Sequence, residues 1–176
     1  GHIAVADLDA TDGIDALTIV AGLHRGALGG EGIVAFSERG EVLWEGHDAA
    51  GAAVNVFLYG GAPAIADLDG DGRAEIIVGA TVFDADGLLA WRSATAHVGN
   101  VGFGALSIAV NLDAADGPLE VVTGNTAYEA NGVLRWTSTE IGHGNPAVAD
   151  FDGDGRPEIV VVYDGRVAVL NADGTA

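Results

Sequence analysis

Two stretches of this 176-residue chain are near copies of one another: Asp67-Leu68-Asp69-Gly70-Asp71-Gly72-Arg73-Ala74-Glu75 and Asp150-Phe151-Asp152-Gly153-Asp154-Gly155-Arg156-Pro157-Glu158. Each follows a Pro and a few alternating small and branched residues, Pro63 to Ala66 and Pro146 to Ala149. Each runs into a branched apolar segment, Ile76-Ile77-Val78 or Ile159-Val160-Val161-Val162. Looser copies begin at Asp7 and Asn111, so the four starts are 60, 44 and 39 positions apart. A chain built from copies of one short unit must bury its apolar faces by stacking neighbour on neighbour.

Within a unit, the segment before the acidic run alternates over about four positions and reads as a strand. The run after it is too short for a helix and rich in strand formers, which gives a second strand. Two more strands flank a hairpin signal, Asp86-Gly87 in the second unit, with counterparts at Arg39-Gly40, Asn131-Gly132 and Asp173-Gly174. The x-Gly pair between apolar runs predicts a type I′ turn. Four locally connected strands per unit and no helical periodicity predict an all-β fold. It is a β-propeller of about four four-stranded antiparallel blades, one domain over 1–176 with repeats at about 1–46, 61–93, 105–138 and 144–176.

The Asp-x-Asp-Gly-Asp-Gly-x-x-Glu loop followed by an apolar strand resembles the FG-GAP or VCBS repeat, the blade of integrin-α-type β-propellers. Residues 67 to 79 and 150 to 162 follow that pattern, with Tyr163 where a closing Gly is expected. The resemblance implies cation binding in the loops and, on the opposite face, a surface for ligands. Because such propellers close with six to eight blades and the last unit stops after its hairpin, the expectation is a piece of a longer propeller.

Charge fits the loops. The chain has 26 acidic residues against 7 basic ones, all Arg, for a formal charge of −19, and 15 of the acids lie in the four loop windows. Carboxylates this close repel one another unless a cation compensates them. Side chains at positions 1, 3 and 5, the carbonyl at 7 and a carboxylate at 9 form an all-oxygen shell that selects a hard cation, Ca²⁺ over Mg²⁺. The ligands expected are Asp67, Asp69, Asp71, the Arg73 carbonyl and Glu75, and Asp150, Asp152, Asp154, the Arg156 carbonyl and Glu158. The first loop keeps Asp7, Asp9 and Asp15, with Thr11 at position 5 unless Asp12 substitutes through a bulge. The third offers Asn111, Asp113, Asp116 and Glu120, its last carboxylate shifted by one. Two Ca²⁺ sites are expected, and up to four. An EF-hand fails at position 12, where Val78 and Val161 stand in place of a bidentate Glu.

The same charge excludes a nucleic-acid partner, since a phosphate backbone needs a basic footprint. No apolar run reaches the roughly 18 residues of a spanning helix, so membrane insertion is not expected. With no Cys there are no disulfides or thiolate sites. Ser37, Ser93, Ser107 and Ser138 lie in no nucleophile-elbow context.

Trp44, Trp91 and Trp136 recur at the end of the fourth strand and read as packing between sheets. His24, His47, His97 and His143 fall in connections expected on the face away from the loops. The function expected is an extracellular Ca²⁺-binding module with a protein or glycan ligand on that face, non-enzymatic, with self-association through open blade edges. A propeller-type polysaccharide lyase and a structural spacer or filament subunit remain the alternatives.

Overall fold

The computed structural model describes residues 2–9, 17–24, 31–56, 58, 61–94, 106–113 and 116–176. The repeats form four antiparallel sheets. Sheet 1 is β1 (Ile3–Ala6), β2 (Thr18–His24), β3 (Glu31–Phe36) and β4 (Val42–Glu45). Sheet 2 is β5 (Ala64–Ala66), β6 (Glu75–Val78), β7 (Thr81–Phe83) and β8 (Leu89–Arg92), and sheet 3 is β9 (Ile108–Val110), β10 (Glu120–Thr123), β11 (Thr126–Tyr128) and β12 (Leu134–Thr137). Sheet 4 has three strands, β13 (Asn145–Ala149), β14 (Glu158–Tyr163) and β15 (Arg166–Leu170). Every strand pairs with its neighbour in sequence, as blades of a propeller do.

The first strands lie innermost, where β1 meets β5, β5 meets β9 and β9 meets β13. Alanines at 64, 66 and 109 suit this convergence because neighbouring backbones approach closely there. Sheets 2 and 3 each present their two faces to two neighbours. Leu8, Val20 and Ala35 of sheet 1 pack with Ile76, Val78 and Phe83 of sheet 2. Leu68, Ile77 and Val82 of sheet 2 pack with Val121 and Tyr128 of sheet 3. Leu112, Val122 and Ala127 of sheet 3 pack with Ile159, Val161 and Leu170 of sheet 4. The hydrophobic residue at loop position 2 is thus a plug for the next sheet: Leu8, Leu68 and Leu112 are 6%, 1% and 0% exposed. Its counterpart in the fourth unit, Phe151, is 63% exposed.

The tryptophans form a latch at each interface. Trp44 lies over Gly87, Trp91 over Gly132 and Trp136 over Gly174, each on the hairpin of the following sheet. The Trp91 and Trp136 indole N–H groups donate to the Ala130 and Ala172 carbonyls at 2.8 and 3.0 Å. A Cβ at Gly132 would stand 2.6 Å from the Trp91 ring, so the site requires glycine. The expected packing role of these tryptophans is what the structure shows.

The hairpins form where expected, but their turn differs. In each, the glycine N–H donates three residues back, as Gly87 to Asp84, and the next pair closes as Asp84 N–H to the Leu88 carbonyl. Gly40, Gly87, Gly132 and Gly174 have φ near +80° while the residue before each stays negative. These are three-residue loops, a type I turn ending in a glycine bulge, not type I′. The two-residue turn with both central φ positive occurs at Asp164-Gly165, between β14 and β15.

Candidate cation-binding loops

Each acidic loop joins the first strand of a sheet to its second, and the same hydrogen bond closes the second, third and fourth. The last Glu of the loop accepts the N–H of position 2: Glu75 from Leu68, Glu120 from Leu112 and Glu158 from Phe151, all at 2.7 Å. This bond uses Oε2 in all three.

In the second loop, Asp67, Asp69 and Asp71 each bring a carboxylate oxygen within 4.8 Å of the others. The Asp67 carboxylate also accepts the Gly70 N–H (2.8 Å) and the Gly72 N–H (2.9 Å), and Asp71 accepts from Arg73 (2.7 Å). In the fourth loop the converging group is Asp150, Asp152 and Glu158, positions 1, 3 and 9 where the second loop has 1, 3 and 5, so Glu75 and Asp154 stand outside these groups; Asp150 accepts from Gly153 (2.7 Å) and Gly155 (3.1 Å). Asp154 accepts the Arg156 N–H at 2.7 Å. Gly70, Gly72, Gly153 and Gly155 have φ between +78° and +91°, the left-handed backbone this coil needs and other residues resist.

The arginine at position 7 of the second loop turns away from the carboxylate group. Arg73 donates to Asp86 at 2.9 Å on its own hairpin and pairs with Asp9 of the preceding loop at 3.4 Å. Loops of successive units are also tied through the backbone, Ala74 N–H to the Leu8 carbonyl and Leu119 N–H to the Leu68 carbonyl. Pro157 occupies the corresponding place in the fourth unit and has no N–H to give.

The electrostatics follow. Burial pushes the Glu75 carboxyl above the ordinary glutamate range, and the charges of Asp69, Asp71 and Asp67 add to it, while the Leu68 N–H works against them. Carboxylates converging on one point, all-oxygen, without a basic side chain among the described residues inside the group, fit a hard dication. Asp67, Asp69, Asp71 and Glu75 would hold one and Asp150, Asp152, Asp154 and Glu158 another, and the ion would supply the charge that relieves their repulsion.

The other two loops are built differently. In the first, Asp7 accepts the Asp9 N–H at 3.2 Å, and its Oδ2 is buried with no hydrogen-bond partner among the described residues. Asp12 and Asp15 lie outside the described residues. In the third, the Arg135 guanidinium sits among the carboxylates: Nη2 to Asp113 Oδ1 at 2.6 Å, Nη1 to Glu120 Oε1 at 3.1 Å and to Glu129 at 3.5 Å. Asn111 accepts the Asp113 N–H at 2.8 Å, and Asp116 is exposed. No reading of the sequence singled out Arg135. It stands on β12 where Ala90 and Leu43 stand on β8 and β4, and that alignment is the signal that could have found it.

His47 does not lie away from the loops. Its N–H and carbonyl bond to Gly87 and Leu89 at 2.9 and 2.8 Å, beside the hairpin that Arg73 reaches through Asp86. His97 and the His24 side chain lie outside the described residues.

The family model for the FG-GAP repeat matches residues 59–108 and 145–170, the second and fourth loops with their flanking strands. Those two segments match the FG-GAP repeat. No curated protein matches it. Among solved structures, the chain is similar to the V. cholerae biofilm matrix protein Bap1, at 26% identity and a TM-score of 0.72 over 99% of this chain and 27% of that one. It is similar to a Bacillus licheniformis rhamnogalacturonan lyase at 26% identity and a TM-score of 0.60, covering 90% of this chain and 28% of that one. The exotype rhamnogalacturonan lyase YesX shares the fold at 21% identity and a TM-score of 0.63, over 100% of this chain and 40% of that one. The chain therefore spans between about a quarter and two fifths of the length of these proteins. Among the described residues no helix is long and apolar enough to cross a membrane.

Proposed function

We propose that this chain is a Ca²⁺-stabilised β-propeller segment of about four blades that presents an extracellular surface for binding or adhesion. The observation that carries the reading is the pair of carboxylate groups in the second and fourth loops, each with its oxygens within 4.8 Å of one another, and in the second the neighbouring Arg73 cation pairs elsewhere. Likeness to a biofilm matrix protein supports the extracellular assignment, where millimolar Ca²⁺ would fill even weak sites. The ligand would be a protein or a glycan, held on the face away from the loops. The exposed apolar sides of sheets 1 and 4, with Val5 at 51% and Val169 at 49% exposure, support self-association.

The test is thermal melting in excess Ca²⁺ and in a chelator. The melting temperature should fall on chelation, and the difference should shrink in Asp69→Asn and again in Asp69→Asn/Asp152→Asn. Equal melting in both buffers would sink the reading. The likeness to rhamnogalacturonan lyases keeps a glycan-active enzyme as the second reading. Depolymerisation of an acidic or neutral glycan by the purified chain would establish it in place of the first.

A further inference from the structure

The four loops share one plan, yet the third differs from the others in two coupled ways. Position 1 is Asn111, which removes one negative charge, and β12 carries Arg135 at the place where β8 has Ala90 and β4 has Leu43. The guanidinium reaches position 3 through both Asp113 oxygens, at 2.6 and 3.3 Å, and reaches the free oxygen of the closing glutamate, Glu120 Oε1, at 3.1 Å. In the fourth loop the same two positions, Asp152 and Glu158, belong to the carboxylate group fit for a dication. Arg135 therefore takes the oxygens an ion would take. Glu120 is nearly inaccessible, its side chain 4% exposed, so its carboxylate needs a partner inside the protein.

We infer that the third loop binds no Ca²⁺ and that Arg135 is its built-in cation, so that this unit keeps its loop closed whether or not Ca²⁺ is present. The charges agree with the geometry: a monovalent guanidinium faces Asp113 and Glu120 where a dication would face Asp67, Asp69 and Asp71 in the second loop. The planar fork of Arg suits two carboxylates at once, which a Lys ammonium would serve less well. Arg135 also holds the Asp113 carboxyl below the ordinary aspartate range. The consequence is an uneven module, with units 2 and 4 responsive to Ca²⁺ and the unit between them indifferent to it.

The inference builds on the Ca²⁺ reading of the second and fourth loops, and the experiment separates the two. Ca²⁺ is titrated calorimetrically into the wild type and into Asp113→Asn, Asp69→Asn and Asp152→Asn, and all are melted in chelator together with Arg135→Ala. Asp113→Asn should bind as many Ca²⁺ ions as the wild type, while Asp69→Asn and Asp152→Asn each bind one fewer. In chelator, Arg135→Ala should melt about 4 °C or more below the wild type because Glu120 loses its partner. A lower Ca²⁺ count in Asp113→Asn would overturn the inference, as would unchanged melting of Arg135→Ala in chelator. A wild type that binds no Ca²⁺ at all would sink the calcium reading alone. Should Arg135→Ala fail to fold, the Asp113→Asn count decides.

Discussion

Glu75 shows how one carboxylate can work against the fold without an ion and for it with one. Burial and three neighbouring aspartates raise its pKa, so in the Ca²⁺-free protein its charged form costs stability. A raised folded-state pKa contributes stability that is present below the ordinary glutamate value of about 4.3 and lost as pH rises through the folded value. Glu75→Gln keeps an acceptor for the Leu68 N–H and drops the charge. In chelator at pH 7 this variant should melt higher than the wild type, and the gap should close as pH falls toward about 4. In Ca²⁺ the order should reverse, because the wild type alone supplies the anionic ligand. Melting curves over pH with and without chelator check both signs.

At the scale of one element, the hairpin of each sheet is defined by what lands on it. The loop composition announced a turn, since Asp86-Gly87 and Asn131-Gly132 sit between apolar runs. It did not announce the turn type, because three-residue loops with a terminal glycine bulge and two-residue type I′ loops both ask for glycine at positive φ. Long-range packing adds the second demand, the tryptophan of the preceding sheet over the glycine. Gly132→Ala should cost about 1–3 kcal/mol from φ strain and the displaced ring, and Trp91→Ala about 3 kcal/mol. The two should be non-additive, with a coupling of at least about 0.5 kcal/mol in a double-mutant cycle by denaturant unfolding, since they break one contact. Additive losses would show that the latch is not a unit.

Across the whole molecule, three interfaces of one design join four sheets in a row. Stability in such an array is close to a sum of unit and interface contributions, so ions in units 2 and 4 should stabilise their neighbours as well. Once both sites are occupied, each tenfold rise in free Ca²⁺ should add about 1.4 kcal/mol per site. A melting temperature that climbs linearly with the logarithm of Ca²⁺ over two decades, with half the slope in Asp152→Asn, would agree; a plateau after the first decade would not.

The repeat, the strand order and the two full loops could be read directly from the residues, because loop ligands lie within nine positions and strands pair with their sequence neighbours. Such contacts are local, and local spacing carries them. Arg135 could not be read that way. It lies 22 residues from Asp113, on the last strand of the sheet whose first turn it closes, and it becomes a cation for that loop only when the sheet folds back on itself. The same holds for the exposed Phe151: its position in the repeat marks it as a plug, and whether a neighbouring sheet receives it depends on the three-dimensional packing around it.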